Sequence, residues 1–179
     1  MALLKIARMG HPVLTRTAHP VEDPTAEPVR RLLADMAATM IDAEGIGLAA
    51  PQVYQPVRLI LFLDAQDRER VSDSQPVALI NPEIEPLTDV REHGLEGCLS
   101  IPGLRGMVPR FTRIGYRGLA PDGRVIEREA EGLHARVVQH EVDHLDGILY
   151  PMRMTDLRHL TLESEIRHFA EDLGRSERA

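Results

Sequence analysis

The run Gly132-Leu133-His134-Ala135-Arg136-Val137-Val138-Gln139-His140-Glu141-Val142-Asp143-His144-Leu145 decides how the rest of this sequence is read. Leu133, Val137, Val138 and Leu145 recur at helical spacing and Asp146-Gly147 supplies a stop, so the spacing predicts a helix over 132–145. His140 and His144 stand four residues apart within it, which puts both imidazoles on one face with Glu141 beside them. Such an HExxH pattern suits a metal ion, but this composition produces one by chance with a probability of about 3%, so the pattern alone decides nothing. The plain alternative is two half-buried histidines bonded to backbone or carboxylates. The apolar neighbours count against it: an inward-facing helix would bury several ionisable groups at a cost that a shared ion removes.

A catalytic ion takes three protein ligands and leaves one position for water or substrate. Cys98 is the best candidate for the third. It is the single cysteine of the chain, so it forms no intramolecular disulfide. It lies in Glu96-Gly97-Cys98-Leu99-Ser100, a strand-like run whose glycine allows close backbone approach, and a thiolate on a metal is deprotonated outright. Two other readings stand beside this one: a buried inert thiol, the usual fate of a lone cysteine, and a nucleophile with His140 as base, which leaves His144 without a role.

Outward from these two segments, Val29, Leu32, Leu33, Met36, Met40 and Ile41 repeat at helical spacing after Asp23-Pro24-Thr25, which predicts an amphipathic helix over 25–43 ended by Glu44-Gly45. Residues 57–63 and 77–80 read as strands, with a polar loop or hairpin tip over 64–75 between them. From 84 to 130 the pattern is short strands broken by Pro and Gly, including a hairpin turned by Pro121-Asp122-Gly123. Leu157, Leu160, Ile166, Phe169 and Leu173 share one face of a C-terminal helix expected over 156–173, with a polar tail after Gly174. The order helix, strands, helix, helix predicts an α+β fold: antiparallel sheets packed around the HExxH-bearing helix, with an N-terminal and a C-terminal helix. At 179 residues the expectation is a single domain over 1–179, with residues 155–179 as C-terminal helix and tail.

Composition excludes several classes of function. A net charge of -7 argues against a nucleic-acid surface. The basic residues Arg105, Arg110, Arg113 and Arg117 are sparse and read as charges on the solvent face of strands. Neither a secretory signal nor a run of ~20 apolar residues is present, so a cytoplasmic protein with no direct membrane or nucleic-acid binding is expected. Aromatic residues make up only 3%, so Leu, Val, Ile and Met must fill the core.

Three separated motifs resemble those of peptide deformylases: Gly45-Ile46-Gly47-Leu48-Ala49-Ala50-Pro51-Gln52, then Glu96-Gly97-Cys98-Leu99-Ser100, then Gln139-His140-Glu141-Val142-Asp143-His144-Leu145. The likeness extends through Gly10-His11-Pro12-Val13-Leu14 and from Ile101-Pro102 to Pro109-Arg110. It implies removal of the formyl group from the N-terminal methionine of new polypeptides, with release of formate. It also implies one divalent ion per chain on Cys98, His140 and His144, ferrous by family, although zinc, nickel or cobalt suits the same donors. Metal-activated water then attacks the formyl carbon with Glu141 as acid/base. The Leu99 backbone N–H and the Gln52 side chain stabilise the oxyanion.

By the same resemblance the substrate peptide pairs with Gly45, Ile46 and Gly47, residues 103–106 form the opposite wall, and Arg105 faces the substrate backbone. Ile46, Leu133 and Val137 line the methionine slot, with plain core packing as the alternative. Arg136 stands where some members carry an apolar pocket residue, so the slot is more polar or the side chain points away. Glu44 and Arg110 are expected to form a scaffold salt bridge. Formylmethionyl nascent peptides are the implied partner, and the ribosome near the exit tunnel is a candidate second one. The rivals are a zinc metallopeptidase, whose third ligand is commonly Glu or His, and a deformylase-like module that binds metal without turnover.

Overall fold

The structure is a computed structural model and describes residues 2–64 and 76–169. Helix α1 spans Glu27–Asp42. Strands β1 (Gly47–Ala49), β2 (Leu59–Leu63) and β3 (Pro76–Pro86) follow it, then β4 (Arg91–Cys98), β5 (Ile101–Phe111), β6 (Arg113–Leu119) and β7 (Val125–Glu131). Helix α2 occupies Gly132–Leu145, and a short strand β8, Leu160–Leu162, comes last. The strands form an antiparallel five-stranded sheet in the order β1-β2-β3-β6-β7 and a three-stranded sheet in the order β4-β5-β8.

The apolar run of β2 explains how the helices flank the larger sheet. Leu59, Ile60, Leu61 and Phe62 are all buried, and alternate side chains of a strand face opposite ways. Ile60 and Phe62 pack with Val138, Val142 and Leu145 of α2, whereas Leu59 and Leu61 join Met36 and Met40 of α1. A continuous apolar run is what a strand covered on both faces requires. From His134 to Leu145 every α2 side chain except Arg136 is buried. The chain passes from β7 into α2 with no loop, turning at Gly132, whose φ of 56° is a conformation that side chains other than glycine rarely adopt.

The helices expected over 25–43 and 132–145, the strand pairs and the Pro121-Asp122-Gly123 hairpin correspond to α1, α2 and β2 to β7. Of the loop expected over 64–75, residues 65–75 lie outside the described residues. The C-terminal helix begins later than its periodicity suggests. Residues 157–159 and 163–165 are 3-10 turns, and Leu160–Leu162 is β8, paired with Leu104, Arg105 and Gly106 of β5. Helix is present over 166–169, and the expected continuation to 173 and the tail lie outside the described residues. Leu157 and Leu162 are more than half exposed, so their spacing reflected no buried face, and β8 instead satisfies the backbone at an open edge of β5. No helix among the described residues is long and apolar enough to cross a membrane.

Candidate metal centre

Cys98 closes β4 where the ladder to β5 is interrupted. Glu96 pairs with Gly106, then Cys98 pairs with Ile101, leaving Leu99-Ser100 as a two-residue turn. Neither turn residue has a positive φ. The turn is therefore not of the primed type that matches strand twist, and a register shift between Glu96 and Cys98 accommodates it. α2 brings His140 and His144 to the same point: the ligand atoms of Cys98, His140 and His144 all lie within 4.8 Å of one another, with Cys98 Sγ 3.3 Å from His144 Nε2. One thiolate and two imidazoles suit a divalent transition metal. Glu141 Oε2 is buried without a hydrogen-bond partner, and an orphaned carboxylate oxygen beside converging donors fits a site that an ion and its water complete.

The electrostatics agree with that fit. Burial pushes the Cys98 thiol up, but the charge of His144 and hydrogen bonds with both histidines outweigh it and hold the thiol well below its ordinary range. Burial disfavours the His140 imidazolium, yet hydrogen bonds with Cys98 and Glu96 hold it well above the usual histidine value. The site thus gathers a thiolate and a positive charge, the balance in which a cation replaces protons. Burial raises Glu141 to about 7, against the opposing pull of His140 and His144. A carboxylate near neutrality suits an acid/base.

Glu96, buried two residues before Cys98, organises the surround. Its Oε2 lies 2.8 Å from His140 Nδ1, which leaves Nε2 free to face the ion. Arg110 Nε and Nη2 donate to the same carboxylate at 2.9 and 3.0 Å, and Arg136 Nη1 donates to its Oε1 at 2.9 Å. Burial would raise Glu96, but the bonds from His140 and Arg110 hold it at about 2. Arg110 Nη1 also reaches Asp143 at 2.6 Å, and Arg153 holds the other Asp143 oxygen at 2.7 Å. The expected Glu44–Arg110 bridge is therefore corrected: Arg110 is buried between Glu96 and Asp143 and is no solvent-face charge. Glu44 instead takes a positive φ of 52° where α1 ends.

Gln52 is 2% exposed. Its Oε1 accepts from Ala49 N–H at 2.8 Å, so the amide Nε2 faces the centre, 3.4 Å from Cys98 Sγ and 3.2 Å from Ser100 Oγ. Gly47 lies so close to Glu141 that a Cβ there would stand 2.2 Å from Oε1. A Cβ on Gly45 would stand 2.9 Å from Leu99 Cδ1. Ile46, Leu133 and Val137 meet in one apolar cluster. Arg136 turns toward the smaller sheet, donating to the carbonyls of Glu92 and Val108 at 2.8 Å and lying over Gly94. With Gly94, Leu95, Phe111 and Leu133 it lines a cavity of about 370 Å³.

Arg105 lies over Gly97, but its guanidinium is bonded to Glu163. In the segment 103–106, expected as the opposite wall, Leu104, Arg105 and Gly106 pair with β8, and β4 lies at an edge of this sheet. Sequence reasoning passed over Glu96 and Asp143 as partners of the site. Glu96 shares a strand face with Cys98 by period two, and Asp143 shares a helix face with His140 by a spacing of three, so both carried a usable signal. Arg153 carried none.

These features define a candidate metal centre of three converging donors with a buried carboxylate beside it. The polypeptide deformylase family model matches residues 3–159. The chain is 53% identical over 154 residues to peptide deformylase 1 of Bordetella pertussis, covering 85% of this chain and 88% of that one. It superposes on the Met-Ala-Ser-bound class I type b peptide deformylase of Acinetobacter baumannii with a TM-score of 0.77 and 37% identity, covering 85% of this chain and 98% of that one. For the Thermotoga maritima peptide deformylase the TM-score is 0.79 and the identity 36%, covering 87% and 100%. This chain belongs to the polypeptide deformylase family. It is a hydrolase that removes the N-formyl group from newly made polypeptides.

Proposed function

We propose that deformylation is carried by Cys98, His140 and His144 as holders of a single ferrous ion and by Glu141 as the group that moves the proton. The observation that carries this reading is the convergence of the three donors within 4.8 Å. When bound, a divalent ion lowers the pKa of water from ~15.7 toward ~7 and polarises the formyl carbonyl. Glu141 accepts the proton of the attacking water and returns it to the leaving amine nitrogen. Gln52 Nε2 and the Leu99 N–H donate to the oxygen that gains charge.

Gly45, Ile46 and Gly47 bind the peptide as an added strand, which is supported by the position of β1 at the edge of its sheet. Ile46, Leu133 and Val137 take the methionine side chain, and Arg105 contacts the substrate backbone after parting from Glu163. The likeness to a structure named as Met-Ala-Ser-bound supports such a peptide as ligand here. We read residues 1–179 as one deformylase domain built around α2, acting in the cytoplasm where nascent chains emerge. Any ribosome contact is assigned to the C-terminal segment.

The test is formate release from formyl-Met-Ala-Ser against turnover of acetylated and unblocked Met-Ala-Ser, using protein purified without oxygen and analysed for its metal. Cleavage of the formylated peptide alone, with iron bound, is expected. Processing of the other two peptides only would overturn the substrate assignment, and activity confined to a zinc form would overturn the ferrous one.

A further inference from the structure

The N-terminal segment bonds to backbone carbonyls of both residues proposed as oxyanion donors, Gln52 and Leu99. Ala7 N–H donates to the Gln52 carbonyl at 2.7 Å, and Met9 N–H donates to the Ser100 carbonyl at 2.8 Å. Between them, Arg8 Nη1 donates to the Leu99 carbonyl. That carbonyl sits in the two-residue turn between β4 and β5, outside the ladder. The N–H of the same peptide unit, on Ser100, lies 3.4 Å from Cys98 Sγ. Because a peptide unit is planar, its C=O and N–H turn together. A group that fixes the Leu99 carbonyl therefore fixes the N–H on the sulfur.

We propose that Arg8 is a positioning residue for the metal centre, acting through the Leu99–Ser100 peptide on Cys98 and on the neighbouring Leu99 N–H. A charged donor on a carbonyl makes a bond roughly twice as strong as a neutral one and polarises the amide, which strengthens its N–H as a donor at the other end. Hydrogen bonds to a ligand sulfur tune the ion it holds. If the peptide rotates, the sulfur loses a donor, and Leu99, whose own N–H belongs to the preceding peptide, loses the restraint on its carbonyl side. Arg8 is exposed, so its replacement leaves the core intact.

The inference rests on the reading of Cys98 as a metal ligand and of Leu99 as an oxyanion donor. Cobalt(II)-loaded wild type, Arg8→Ala and Arg8→Lys are compared by the near-ultraviolet sulfur-to-cobalt charge-transfer band and by kcat and KM on formyl-Met-Ala-Ser. For Arg8→Ala the band moves to longer wavelength, because an unbonded thiolate is easier to oxidise, and kcat falls about tenfold with KM little changed. Arg8→Lys, which can still donate to the carbonyl, restores most of both. An Arg8→Ala protein with the wild-type band and kcat overturns the role of Arg8 alone, as does failure of Arg8→Lys to restore either. A wild-type cobalt protein without the band overturns the Cys98 ligand reading, and the role of Arg8 with it.

Discussion

His140 Nδ1 lies 2.8 Å from Glu96 Oε2, so a buried carboxylate on β4 fixes the ring of a histidine on α2. Loss of such a partner frees the ring to rotate and reduces the basicity of its other nitrogen. For Glu96→Gln, affinity for the ion should fall about 10- to 100-fold, measured by competition with a chelator. An affinity within error of wild type would remove Glu96 from the account.

Gly47 predicts a separation of catalysis from metal binding. A methyl group there meets Glu141 Oε1 at 2.2 Å, so Gly47→Ala must displace the carboxylate while leaving the three metal donors in place. Deformylation should drop about 100-fold, the scale of a misplaced reacting group, with the ion retained by metal analysis. Full activity would show that Glu141 need not occupy its present position.

Arg110 is a test of stability. It is 5% exposed and bonded to Glu96 and Asp143, and stripping one partner from a buried charge network costs about 3–5 kcal/mol. Arg136 and Arg153 still contact the two acids, so Arg110→Met should lose about 3 kcal/mol by denaturant titration, the lower end of that range. A loss below about 1 kcal/mol would mean that the pairing is worth no more than a surface one.

His134 gives the fold a pH dependence away from the metal donors. It packs against Phe62 and Tyr116. Burial, reinforced by the charge of Arg128 and opposed by Asp64, holds it below the usual 6.5. The unfolded chain therefore binds a proton that the folded one refuses, and this contribution to stability is complete above about pH 6.5 and declines as pH falls toward the folded value. Comparing wild type with His134→Phe by urea titration from pH 7.5 to 5 should show the wild type losing stability faster toward acid. Parallel curves would contradict it.

Helix α2 was legible because fourteen consecutive residues carry both a periodic apolar face and its interruption by His140, Glu141 and His144. Cys98 was legible as the one thiol beside a glycine. The surround was not. Arg110 reaches Glu96 only through the β4–β5 register and Asp143 only through packing of α2, and neither relation leaves a mark in local sequence. Strand β8 has three residues, too few to display a period, so its leucines merged into a helical spacing that continued past it. The direction of Arg136, left open between a polar slot and a side chain pointing away, depends on the room that Gly94 leaves on the neighbouring sheet, which local sequence does not mark.

In the proposed division of roles, three side chains hold the ion while a fourth moves the proton. Wild type and Glu141→Ala, both loaded without oxygen, should each retain one ion per chain. Formate release from formyl-Met-Ala-Ser should fall by roughly 10²- to 10⁴-fold in the variant, the range of general acid–base catalysis. A variant that releases formate at the wild-type rate, or that loses its ion together with its activity, would contradict the division of roles.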